Sequence, residues 1–281
     1  MKKTFAVLCV FLILLSLCAC KDKGGRSGKN AEDEKYGVVI ESSEEKFEKD
    51  FEDRNGEKIA RLEITYPVIR CDEAPGIAEQ INNWFNLLLE RETESIGINI
   101  ENTEDYKDRL GIDGVTVTRI KCEQYGLGNT FVSYTVFKQV GVNPDEDEGT
   151  MYGRTFSLAD GKQLWMRDIF RPEVKEPEEK LKQAVLEEAD QTYSVRGGIP
   201  LSDEQREVMN SLYDEQNFCF TGENITIPYS FKVLSKGSRH GIYYCAIDYA
   251  IVEDLITGPD EYYDNIKNIV IADDSILNPV V

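Results

Sequence analysis

The stretch KIARLEITYPV, residues 58–68, decides the fold. Ala60, Leu62, Ile64, Tyr66 and Val68 alternate with Arg61, Glu63, Thr65 and Pro67. That period of two places apolar side chains on one face of a strand and polar ones on the other. A single apolar face must be covered by another layer, and the chain supplies one at once. After Ala74-Pro75-Gly76, the residues Ile77, Ile81, Trp84 and Leu88 recur at spacings of four, three and four, one stripe of a helix running to about Ser95.

Downstream, Val115–Cys122 and Phe131–Phe137 are β-rich runs joined by Gly-Leu-Gly-Asn at 126–129, which predicts a hairpin. The acidic block Asn143–Gly149 forms a loop tip before a strand over Thr150–Leu158, and Asp160-Gly161 marks a further turn. Glu176–Tyr193 is a helix opening on Pro177, Glu178 and Glu179. Ser202 and Gln205 form a capping box for a helix to about Asp214. Phe218–Thr221, Ile225–Pro228, Ser230–Leu234 and Ile242–Val252 supply more strands. This order predicts an α+β fold of antiparallel sheets with packed helices, in two subdomains over residues 57–142 and 143–281.

Toward the start, Met1-Lys2-Lys3 precedes an apolar run from Thr4 to Ala19 that the charges of Lys21, Asp22 and Lys23 end. This is the layout of a secretory signal peptide, residues 1–19. Residues 20–56 are dominated by Lys, Glu, Asp, Gly and Ser and predict a flexible tether reaching on the order of 30 Å.

The formal charge is -20, and loss of Lys2 and Lys3 with the signal makes it more negative by the same two charges. A chain so acidic repels nucleic acid and attracts basic partners, within the range that salt leaves unscreened. Cys71, Cys122, Cys219 and Cys245 remain once the signal and its end are set aside. Outside the cytoplasm they suit disulfides, Cys71 with Cys122 and Cys219 with Cys245 within each half, or else four buried thiols.

Catalytic patterns are lacking. His240, the sole histidine, sits in a polar turn and offers neither a serine-type base nor a zinc site. No G-x-S-x-G or P-loop occurs, nor a G-x-G-x-x-G between strand and helix, so no cofactor is expected. Asn143, Asp145 and Asp147 imitate a calcium loop, but Glu148 replaces the required glycine and Arg154 the final carboxylate, so no metal is expected either. With 52 acidic residues, a carboxylate pair for glycoside hydrolysis is uninformative and stands as a minor alternative. Trp165, Tyr262 and Tyr263 are the aromatics best placed to stack on a ligand such as a sugar ring.

Two resemblances sharpen this picture. Leu17-Cys18-Ala19-Cys20 resembles a bacterial lipobox, which implies lipid attachment at Cys20 and a place on the extracytoplasmic face of the cell membrane. Tyr152–Leu164 with its Asp160-Gly161-Lys162 turn, Arg167-Asp168-Ile169-Phe170 and Phe218–Tyr229 resemble the RsiV-like extracytoplasmic domain family. Residues 58–140 are similar to the small domain of unknown function that commonly precedes it. Among the family's settings are bacterial lipoproteins and lysozyme-sensing anti-sigma factors. The segment Ser230–His240 departs from the family's aromatic, proline-rich pattern, and no segment suited to holding a sigma factor is recognised. The resemblance implies a lipid-anchored envelope binding module whose partner is a cationic, lysozyme-like protein, with peptidoglycan or another glycan as the alternative.

Overall fold

The computed structural model describes residues 38–101, 114–128, 130–142, 149–195, 200–221, 223–230 and 242–257. Strand β1 (Glu41–Glu52) is followed by β2 (Lys58–Arg70), the strand predicted from the alternation, with Ala60, Leu62 and Ile64 fully buried. Helix α1 (Pro75–Glu101) then crosses to β3 (Thr116–Leu127), β4 (Phe131–Gly141) and β5 (Gly149–Ser157). These strands form one sheet in the order β1-β2-β3-β4-β5. The predicted hairpin is β3–β4, with a bulge between Gln124 and Gly126. All neighbours are antiparallel except β2 and β3, because a connection through a 27-residue helix is a crossover and returns the chain in the same direction.

Cross-strand partners share a face, so the register sorts the sheet's side chains. Leu62, Ile64, Ile120, Cys122, Val132, Tyr134, Val136 and Phe156 lie on one face, which α1 covers with Ile77, Ile81, Phe85 and Leu88. Phe85 and Tyr134 meet edge-on with ring centroids 5.2 Å apart, and Trp84 stands edge-on to both Phe85 and Phe156. Each such ring contributes about 1.5–3 kcal/mol through burial alone. Trp84 is thus part of the packing of the first core.

The second half builds another core. Short α2 (Met166–Ile169) leads to α3 (Pro177–Val195) and α4 (Asp203–Ser211). Helix α4 opens on the predicted capping box, with the Gln205 N–H donating to the Ser202 hydroxyl and the Ser202 N–H to the Gln205 side chain. Strands β6 (Cys219–Phe220), β7 (Asn224–Ser230) and β8 (Ile242–Asp248) form a three-stranded antiparallel sheet, followed by the single turn α5 (Tyr249–Val252). Phe220, Ile225, Ile227, Cys245 and Ile247 share one face of it and pack with Leu181, Val185 and Ala189 of α3 and Met209 of α4.

Three expectations are corrected here. The tether expected over residues 20–56 cannot extend to 56, because β1 pairs along β2 and the chain turns at Asp53, whose carboxylate accepts from the Asn55 and Glu57 N–H groups. Phe47 and Phe51 pack against the first core, and Asp50 and Glu48 pair with Lys58 and Arg61 of β2. Secondly, the two subdomains do not part at residue 143, because β5 pairs along β4 inside the first sheet. The second core instead begins near Leu164 and borrows Phe131 from β4. Thirdly, Cys71, Cys122, Cys219 and Cys245 are buried thiols outside any disulfide, the second of the two readings the sequence left open. Cys219 lies opposite Thr226 whereas Cys245 lies opposite Ile227, and adjacent strand residues face opposite ways. The two thiols therefore occupy opposite faces of the small sheet. Lys121 lies beside Thr65, so Cys122 is level with Tyr66, while Cys71 lies five residues or about 16 Å further along. A disulfide requires Cα atoms within about 7 Å.

Candidate functional site

The face of the large sheet away from α1 is divided in two. Over β4 and β5 the small sheet covers it, through side chains that are small or polar. Ser133 and Thr155, opposite one another, share a hydrogen bond of 2.8 Å between their hydroxyls. Thr155 also donates to the carbonyl of Phe218, and the Phe220 N–H donates to the Ser133 hydroxyl. Asn217 accepts from the Gly153 N–H at 2.7 Å and donates to the Pro228 carbonyl at 2.9 Å. Glycine is required at the closest approach: a Cβ on Gly153 would lie 2.7 Å from the Cys219 sulfur, and one on Gly126 would run into the Phe220 carbonyl. In this buried seam desolvation pushes the Cys219 thiol up to about 12, and the Cys122 thiol in the first core likewise. Protonated thiols of this kind are poor nucleophiles.

Beside the seam, residues 214–217 clasp the outer edge of β5. Arg154 donates to the carbonyls of Gly153 and Gln216, lies 3.9 Å from Asp214 and stacks over Tyr152. Arg167 pairs with Glu215 at 3.2 Å and lies 4.2 Å from the centre of the Trp165 ring. The Met166 N–H donates to the Glu215 carbonyl, and the Gln163 side chain to that of Gln216. Trp165 is half-buried, but a ring face that stacking on a sugar would need carries the Arg167 guanidinium, so its place is in this clasp. The arginines of the clasp were not singled out by sequence, because their burial depends on the distant segment 214–217. Tyr262, Tyr263, Cys20, His240 and the block 143–148 lie outside the described residues.

Charge dominates the exposed positions around α3 and α4. Glu173 and Glu176 just before α3, Glu179 and Glu187 on it, and Asp203 and Glu207 on α4 face solvent, against the exposed Lys175 and Lys180 and the half-buried Lys182. Lys182 is shared by Glu178 at 2.6 Å and Glu179 at 3.3 Å, which raises its pKa, and Arg206 pairs with Asp190. Basic groups are thus outnumbered, and Lys182 and Arg206 are already engaged. On the other half of the sheet face, Glu63 bridges Arg61 and Arg119, each at 3.0 Å, beside the acidic edge strand β1. Among the described residues no group of three or more His, Cys, Asp or Glu is arranged to hold a metal ion, and no helix is long and apolar enough to cross a membrane.

Two solved structures share the fold. A DUF3298 family member from Bacteroides fragilis superposes with a TM-score of 0.56 at 14% identity, over 80% of this chain and 98% of that one. A DUF3298 family protein from Pseudomonas aeruginosa gives 0.50 at 10% identity, over 80% and 97%. The likeness is compatible with the RsiV-like resemblance and reaches across both cores. No family model and no curated protein matches the sequence.

Proposed function

We propose that this chain is a lipid-anchored binding protein of the bacterial envelope that captures a cationic protein of the lysozyme kind. The observation that carries this reading is the surplus of solvent-facing carboxylates on and just before α3 and on α4, where Lys182 and Arg206 are already paired. Such a surface speeds encounter with a basic partner and loses that advantage as salt rises. The anchor at Cys20 would hold the module at the membrane, on a tether shortened at its far end by β1. In this role the protein binds and does not catalyse. Stacking of a glycan on Trp165 is less supported, because Arg167 already lies over that ring.

The test is titration of residues 21–281, which keep every described element, with a lysozyme and separately with purified cell-wall fragments at low and physiological salt. The expected result is lysozyme binding that weakens at least tenfold as salt rises. No lysozyme binding even at low salt, together with sedimentation on cell wall, would replace this reading with the glycan one. For the anchor, Cys20→Ala is expected to abolish fatty-acid labelling, and persistent labelling would refute the lipobox.

A further inference from the structure

The two outer edges of the large sheet are treated differently. Along β5 the edge is closed: Asn217 takes the Gly153 N–H, the Leu164 N–H donates to Thr155, and Phe156 bridges to Gln163. Strand β1, at the other edge, has β2 as its sole strand partner among the described residues. It runs for 12 residues without proline, and its register with β2 is unbroken up to Phe51. At about 3.3 Å per residue it presents roughly 40 Å of backbone to solvent. A long, regular edge with no further strand on it among the described residues is a template for another strand, and its charges restrict which strand can pair.

Its side chains say which strand. β1 carries Glu41, Glu44, Glu45, Glu48, Asp50 and Glu52 against Lys46 and Lys49. Glu48 and Asp50 are held by Arg61 and Lys58, and Glu45 accepts from the Tyr66 hydroxyl. Glu44 and Glu52 are exposed, and Glu44 lies near enough to Lys121 to help raise its pKa. The six carboxylates of β1 outnumber its two lysines, so a second copy of β1 is repelled on balance, whereas lysine or arginine at alternate positions of an incoming strand would meet these carboxylates. Exposed pairs contribute little singly, so they select the partner while main-chain hydrogen bonds hold it.

We infer that β1 is a docking edge for an extended, basic segment of a partner protein, which adds to the large sheet as a sixth strand. This inference rests on the proposed capture of a cationic protein and specifies its mode. The segment lies along Glu41–Glu52, its backbone pairs with the outward groups of β1, and its basic side chains reach Glu44 and Glu52.

The experiment uses residues 21–281 and three peptide probes: a ten-residue peptide alternating lysine and valine, the same peptide N-methylated at alternate residues, and a glutamate–valine counterpart. The first is expected to bind, with N-methylation weakening binding at least tenfold at equal charge and the acidic peptide not binding. Glu44→Lys with Glu52→Lys is expected to weaken the first peptide at least tenfold without changing the circular dichroism spectrum. Equal binding of the N-methylated peptide would show simple charge attraction and overturn strand addition. Sedimentation of the protein alone as a dimer through β1 would also overturn it, since the edge would then belong to a second copy. If a lysozyme binds but neither the double variant nor the first peptide affects it, this inference fails while the proposed function stands. If the peptide binds as expected and no lysozyme does, the outcome is reversed.

Discussion

The closed and open edges of the large sheet are built from different residues. At β5 the residues that meet the small sheet are Gly153 and Thr155, and the covering segment brings Asn217, Cys219 and backbone. At β1 eight of the twelve residues are charged and ten of the twelve positions are exposed. Small neutral residues let another layer approach to hydrogen-bonding distance, whereas a row of carboxylates requires water or a counter-charge. The molecule therefore assembles across one edge of its sheet and keeps the other for solvent or a partner.

This contrast can be broken most severely at the glycine. Gly153→Val would place carbon where the Cys219 sulfur and Phe218 backbone lie, and urea denaturation is expected to show a loss of about 3 kcal/mol. Asn217→Ala leaves the Gly153 N–H and the Pro228 carbonyl without their partner. The expected loss is about 2 kcal/mol by the same measurement. An effect below about 0.5 kcal/mol would mean that these two hydrogen bonds do not hold the seam together.

The thiols sharpen the comparison through pH. An unfolded chain releases thiol protons near 9, while the folded chain holds those of Cys122 and Cys219 up to about 12. Stability that is complete below pH 9 is therefore lost as pH rises toward 12. At pH 10 the loss is on the order of 1 kcal/mol per thiol. The same burial predicts that a thiol reagent reacts slowly with the native protein and rapidly, at all four described cysteines, in denaturant. Silence in non-reducing denaturant would instead restore the disulfides. At the open edge, Glu48→Ala is expected to change stability by less than about 1 kcal/mol, because the pair with Arg61 is solvent-exposed.

Much of the architecture was legible in local pattern. The alternation from Ala60 to Val68, the stripe from Ile77 to Leu88 and the capping box at Ser202 each carry their own periodicity or spacing, and each forms the element predicted. Strand β1 escaped because its only large apolar residues, Phe47 and Phe51, are four apart and its other positions are polar or charged. Its order comes from pairing with β2, which no local window records. The placement of β5 in the first sheet and of the two thiols on opposite faces of the second are also matters of register between distant segments. For the candidate site, the excess of negative charge was readable from composition. The conversion of Trp165, Arg167 and Arg154 into a clasp was not, since it depends on residues 214–217.

The central claim is that the acidic, open side of this molecule receives a cationic partner. Amide hydrogen exchange along β1 and β5, with and without a lysozyme at low salt, tests it most directly. The account predicts slowed exchange across Glu41–Glu52 in the complex and unchanged exchange along Gly149–Ser157. A complex that leaves β1 exchanging as in the free protein would contradict docking at the open edge, and no complex at all would contradict the capture itself.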